Sequence, residues 1–64
     1  MTLYIIKCTD RVRQYVAPPG SKKSYTDNIL KARFYMDRYK AEEDCCPENE
    51  VVMHVELHNL LHIT

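Results

Sequence analysis

Sixty-four residues with nine Lys and Arg against nine Asp and Glu give an uncharged chain that fits one domain, residues 1–64. A chain of this size buries only about 60% of its unfolded surface, so its core is thin. An enclosed catalytic cleft of ~300 Å³ or more is hard to build around such a core, which argues against an enzyme and leaves macromolecular binding as the expected mode of action.

The opening Met1-Thr2-Leu3-Tyr4-Ile5-Ile6-Lys7 has no basic n-region, and its apolar run is short for a signal peptide. No apolar stretch approaches the ~20 residues that span a bilayer, so the chain is expected in the cytoplasm. Leu3 to Cys8 is β-branched and aromatic without a breaker, and predicts a strand. Thr9-Asp10-Arg11 reads as a turn and Val12 to Ala17 as a second strand, together a hairpin. Pro18 to Ser24 follows as a loop, holding two of the three prolines and the single glycine.

Residues 26–46 admit two readings. One is a long helix with Ile29, Ala32, Met36 and Tyr39 or Lys40 on one stripe. The preferred reading splits the segment: a helical turn capped by Thr26 or Asp27, a short strand Ala32-Arg33-Phe34-Tyr35, and a helix capped by Asp37 that runs to about Cys46. Pro47 ends that helix. In residues 51–58, Val51, Met53, Val55 and Leu57 alternate with Val52, His54, Glu56 and His58, the pattern of a half-buried strand. The expected fold is a small α+β domain, a mainly antiparallel sheet of three or four strands in ββ-β-α-β order with one helix on one face.

Tyr4-Ile5-Ile6-Lys7, Tyr15-Val16, Lys31-Ala32-Arg33-Phe34-Tyr35, Asp37-Arg38-Tyr39-Lys40-Ala41-Glu42 and Val51-Val52-Met53-His54-Val55-Glu56 together resemble small uncharacterised proteins encoded by phages and prophages. The resemblance covers roughly residues 3–57, and its motifs are structural, with no catalytic residue among them. It supports the split reading of the middle. It also implies an origin in a mobile element, whose short cytoplasmic proteins often bind and block a host protein. Anti-CRISPR and other anti-defence inhibitors are the prominent group, with a defence nuclease or nuclease complex as the host partner.

Charge is unevenly spread. All nine Lys and Arg lie between Lys7 and Lys40, whereas residues 41–64 hold six acids, the three histidines and no Lys or Arg. Opposed patches would suit a protein partner; neutralisation across the domain is the plain alternative. The candidate partner-binding residues are Arg13, Tyr15, Tyr25 and Arg38, of the types enriched in binding hot spots, and Glu42, Glu43 and Asp44, which could imitate phosphates toward a basic groove. The cations Lys7, Arg11, Arg13, Lys22, Lys23, Lys31, Arg33, Arg38 and Lys40, interleaved with Tyr4, Tyr15, Tyr25, Tyr35 and Tyr39, could instead hold and stack single-stranded nucleic acid, although the zero net charge falls short of that footprint.

Cys8, Cys45 and Cys46 lack metal-knuckle or redox spacing and read as reduced structural thiols. His54, Glu56 and His58 could face one way along a strand, but three ligands on one straight strand reach one ion poorly, so a solvated face is preferred and neither metal nor cofactor is expected. Finally, Leu57, Leu60, Leu61 and Ile63 make an apolar end that so small a core can hardly cover, and predict a homodimer with the last strand or tail at the contact.

Overall fold

The structure, a computed structural model, describes residues 1–62. The β-branched and aromatic run at the start forms β1 (Thr2–Cys8), the longest-paired strand of the sheet. It pairs along its whole length with β4 (Glu50–Glu56), Ile6 lying opposite Val52. On its other side it pairs with β2 (Tyr15–Val16), which pairs in turn with β3 (Tyr25–Thr26). The sheet is antiparallel throughout, in the order β3-β2-β1-β4. The predicted α+β class and its four-stranded sheet with a packed helix are therefore present.

Several boundaries differ from the sequence reading, each for a local reason. The second strand, expected over Val12–Ala17, shrinks to two residues. Val12 and Arg13 are spent in the turn, where Arg13 takes a left-handed φ of 59° before the Cys8 N–H bonds to the Gln14 carbonyl at 2.9 Å. The loop from Pro18 turns at Gly20, whose φ of 87° suits a residue without a Cβ. It closes with the Ala17 N–H on the Ser24 carbonyl at 2.9 Å, which creates β3, a strand too short to announce itself by periodicity.

The strand expected at Ala32–Tyr35 is instead a single bridge. Tyr35 and Tyr4 exchange both backbone bonds at 2.8 Å, and the Arg33 N–H bonds to the Val16 carbonyl at 2.8 Å. The segment thus continues along β1 beyond the point where β2 stops. Before it comes a 3-10 turn, Ile29–Lys31, capped by Asn28 rather than by Thr26 or Asp27: the Asn28 carboxamide accepts from the Leu30 N–H at 3.0 Å. Thr26 acts one step earlier, its hydroxyl accepting from the Asn28 N–H at 3.2 Å.

Asp37 caps α1 (Arg38–Asp44) as predicted, accepting from the Tyr39 N–H at 2.9 Å. The helix stops two residues short of Cys46. It packs Ala41, wholly buried, onto a core of Ile6 and Tyr35, with Tyr4, Val16, Cys45 and Val52 around them. The alternation in residues 51–58 was misleading on two counts. Val52, assigned to the wet face, packs against this core, whereas Val51 is 48% exposed. The strand also ends at Glu56; Leu57 and His58 begin a one-turn helix, α2 (Leu57–Leu60), after the Leu57 N–H bonds to the Met1 carbonyl at 2.9 Å.

The second sheet face is not left bare. The pleat points Ile5 away from Ile6, yet both are 0% exposed. α2 packs against β4, and its Leu60 is buried. The tail therefore folds back on its own domain at Leu60. Leu57 and Leu61 stay exposed, and Ile63 lies outside the described residues.

Candidate functional site

The inward turn of Ala41 fixes what α1 shows outward. Arg38 and Glu42, one turn apart, form an exposed ion pair with Nε and Oε1 3.7 Å apart. With Tyr4 from β1 and Tyr39 they line a shallow surface depression of about 490 Å³. Tyr39 is 79% exposed, and Met36, just ahead of the Asp37 cap, is 75% exposed. Two large apolar side chains are thus presented to solvent, Tyr39 on a short helix anchored by its cap and by Ala41 and Met36 just before that helix.

At the end of α1 the exposed Asp44 is tied down. It accepts from the Tyr35 hydroxyl at 2.8 Å and lies 3.4 Å from Arg33 Nη1. The Arg33 guanidinium sits over the Tyr35 ring, 4.8 Å from its centroid. Burial, with the bond to Asp44, pushes Tyr35 up to about 12. Asp44 is accordingly held by contacts within the fold, although its side chain is exposed, as are those of Arg38, Glu42 and Glu43.

The candidates of the hairpin end fall elsewhere. Tyr15 is half-buried in β2. Tyr25 donates its hydroxyl to Glu50, whose other oxygen accepts from the Cys46 N–H at 2.9 Å, and the bond to Glu50 is the main cause that raises Tyr25 to about 12. Glu50 thus joins β3 to β4. Burial pushes the Cys8 and Cys45 thiols upward, which disfavours the nucleophilic thiolate; all three cysteines are free.

Around Tyr25 the loops gather cations. Arg11, Val12, Gln14, Lys23, Ser24 and Tyr25 line one depression of about 570 Å³. A neighbouring one holds Lys22, Lys23 and Lys31. Arg13 is exposed in the adjoining turn. Among the described residues, ion pairs involve the Met1 amino group, Arg33 and Arg38, so none of these loop cations is neutralised by a direct carboxylate contact. The acids Glu42, Glu43 and Asp44 share α1 with Arg38 and Lys40, whereas the loop cations stand apart on other segments.

The His54, Glu56 and His58 arrangement does not survive. His58 belongs to α2, and Glu56 is engaged by the Thr2 hydroxyl at 2.6 Å and by the Met1 amino group at 3.7 Å. The Thr2 bond is the main cause that holds the Glu56 carboxyl below its ordinary range. The described residues hold no cluster of three or more His, Cys, Asp or Glu able to share a metal ion.

Met36 escaped the sequence reading as a surface residue, and Tyr4 and Tyr39 entered it only among the tyrosines that could stack on bases. The helical stripe through Met36 and Tyr39 pointed inward, whereas the inward residue is Ala41. The signal that could have found them is the Asp37 cap: it puts Met36 outside the helix and starts the turn count at Arg38. No protein-family model matches the chain, and neither the curated proteins nor the solved structures contain a match to it. No helix among the described residues is long and apolar enough to cross a membrane.

Proposed function

We propose that this chain acts by binding another protein, and that Tyr39, Arg38, Glu42, Tyr4 and Met36 make the contact. The observation that carries this reading is the exposure of Tyr39 and Met36 beside an arginine on an anchored helix. Tyr and Arg dominate binding hot spots because they combine large contact area with directional polar groups, and a helix already held in place loses little entropy on docking. The resemblance to small phage and prophage proteins supplies the setting: an inhibitor of a host protein in the host cytoplasm. A defence nuclease, such as a CRISPR effector, is the favoured target, since Glu42 and Glu43 beside the anchor residues would complement a basic nucleic-acid groove.

Affinity capture from a bacterial lysate, run in parallel with the wild type and with Tyr39→Ala and Arg38→Ala, tests the proposal. Loss of a hot-spot side chain costs about 2 kcal/mol or more, roughly a 30-fold weaker complex. The expected result is a protein retained by the wild type and released by both variants. Equal retention by all three chains would refute the assigned surface.

The loop cations favour a second reading, a nucleic-acid-binding accessory protein, because Arg11, Lys22, Lys23 and Lys31 surround an aromatic residue without paired carboxylates. Phosphate contacts weaken steeply with salt. A shift of single-stranded DNA or RNA at ~50 mM salt that disappears by ~200 mM, and that Lys23→Ala weakens, would establish it; no shift at ~50 mM would remove it.

A further inference from the structure

We infer that the free edge of β4 pairs with the same edge of a second copy of this chain, antiparallel and centred on Val52. The direction of the backbone groups follows from the bonds already formed. Tyr4 exchanges both of its backbone bonds with Tyr35, so Tyr4 and His54 form a pair that is not hydrogen-bonded to each other across β1 and β4. The bonded pairs are then Leu3 with Val55, Ile5 with Met53 and Lys7 with Val51. The N–H and carbonyl groups of Val52 and His54 consequently point away from β1, and they have no backbone partner among the described residues.

Natural sheets protect an edge of this length with lysine, proline, a bulge or a covering segment. The strand Glu50-Val51-Val52-Met53-His54-Val55-Glu56 carries no lysine or proline, and its seven residues pair with β1 without a bulge. The opposite edge, β3, has two residues and offers no comparable template.

Side-chain charge selects the partner and the register. A pairing centred on Met53 would set Glu50 against Glu56 of the partner subunit at both ends, a repulsive arrangement. One centred on His54 would bring α2 into the ladder, because Leu57 would have to oppose the partner's Val51. Centring on Val52 avoids both. It sets Glu50, whose carboxylate is fixed by Tyr25 and the Cys46 N–H, opposite the partner's His54, twice by symmetry. It also sets Val51, 48% exposed, against the partner's Met53. In the ladder, Val52 exchanges its bonds with the partner's Val52, and the His54 N–H reaches the partner's Glu50 carbonyl. The self-complementary edge therefore fits a twofold dimer. It uses β4 itself and leaves Tyr39 and Arg38 free.

Amide hydrogen exchange with sedimentation tests this on the intact chain. At ~1 mM the Val52 and His54 amides should be protected, and dilution to ~10 µM should release them together with the loss of dimer, the range expected of a small interface. His54→Pro removes an outward-facing N–H from an exposed residue, so it should leave the fold intact by circular dichroism and weaken the dimer at least ~10-fold. Tyr39→Ala should leave the dimer unchanged. A monomer at ~1 mM, or a dimer in which the wild-type Val52 and His54 amides exchange freely, would overturn the inference.

Discussion

Single side chains here divide into those that hold the frame and those that face outward. Tyr25 and Tyr35 look like any of the five tyrosines in the chain, yet both hydroxyls are spent on internal carboxylates. The consequence is an alkaline limit. Each phenol is raised from 10.0 to about 12 in the folded protein, so its contribution to stability is complete below pH 10.0 and is lost as pH rises toward 12. The Cys8 and Cys45 thiols, raised from 9.0, begin the same decline earlier. Denaturant midpoints measured from pH 8 to 12 should therefore fall, with an ultraviolet phenolate titration showing a late phase near 12 that loses amplitude in Tyr35→Phe. A flat stability profile above pH 10 would contradict the two bonds. At neutral pH, Tyr35→Phe gives up one part-buried bond to Asp44 and should cost about 1–2 kcal/mol.

At the level of elements, what was readable followed from strong local chemistry. The apolar run of β1 and the Asp37 cap of α1 were both recognisable, because each acts over a few adjacent residues. Asp37→Ala should accordingly lower stability by about 1 kcal/mol in chemical denaturation, with no change in the sheet. β2 and β3 were not legible in this way: two residues carry no period, and tertiary pairing with β1 defines them. The Ala32–Tyr35 run has strand-like composition, but only Tyr35 finds a bridge partner, because β2 occupies the neighbouring length of β1. The end of β4 was missed because alternation continues through Leu57 and His58, while the chain has already turned at Glu56. α2 nevertheless matters to the fold. Leu60 is 5% exposed, so Leu60→Ala should cost roughly 2–4 kcal/mol, a large share of what so small a domain possesses, and should lower the thermal midpoint well beyond Leu61→Ala, whose side chain is 70% exposed. Equal effects of the two substitutions would show that α2 does not dock as described.

For the whole molecule, α1 mixes both signs, with Arg38 and Lys40 before Glu42, Glu43 and Asp44, whereas the loops around Tyr25 gather cations. That much was visible in composition. Of the surface assigned to binding, Arg38 and Glu42 were visible by residue type, but Met36 and Tyr39 have the types and spacing of core residues; Tyr39 faces solvent because Ala41 faces inward, and Met36 because it precedes the Asp37 cap. The binding surface is therefore decided by what a bound protein covers. The most direct measurement is an amide-exchange footprint of the wild-type chain alone and in complex with the protein it captures. The account predicts added protection over Met36 to Glu43 and at Tyr4, with the Arg11 to Ser24 loops unchanged. Protection confined to those loops, with the α1 surface exchanging as in the free chain, would contradict it.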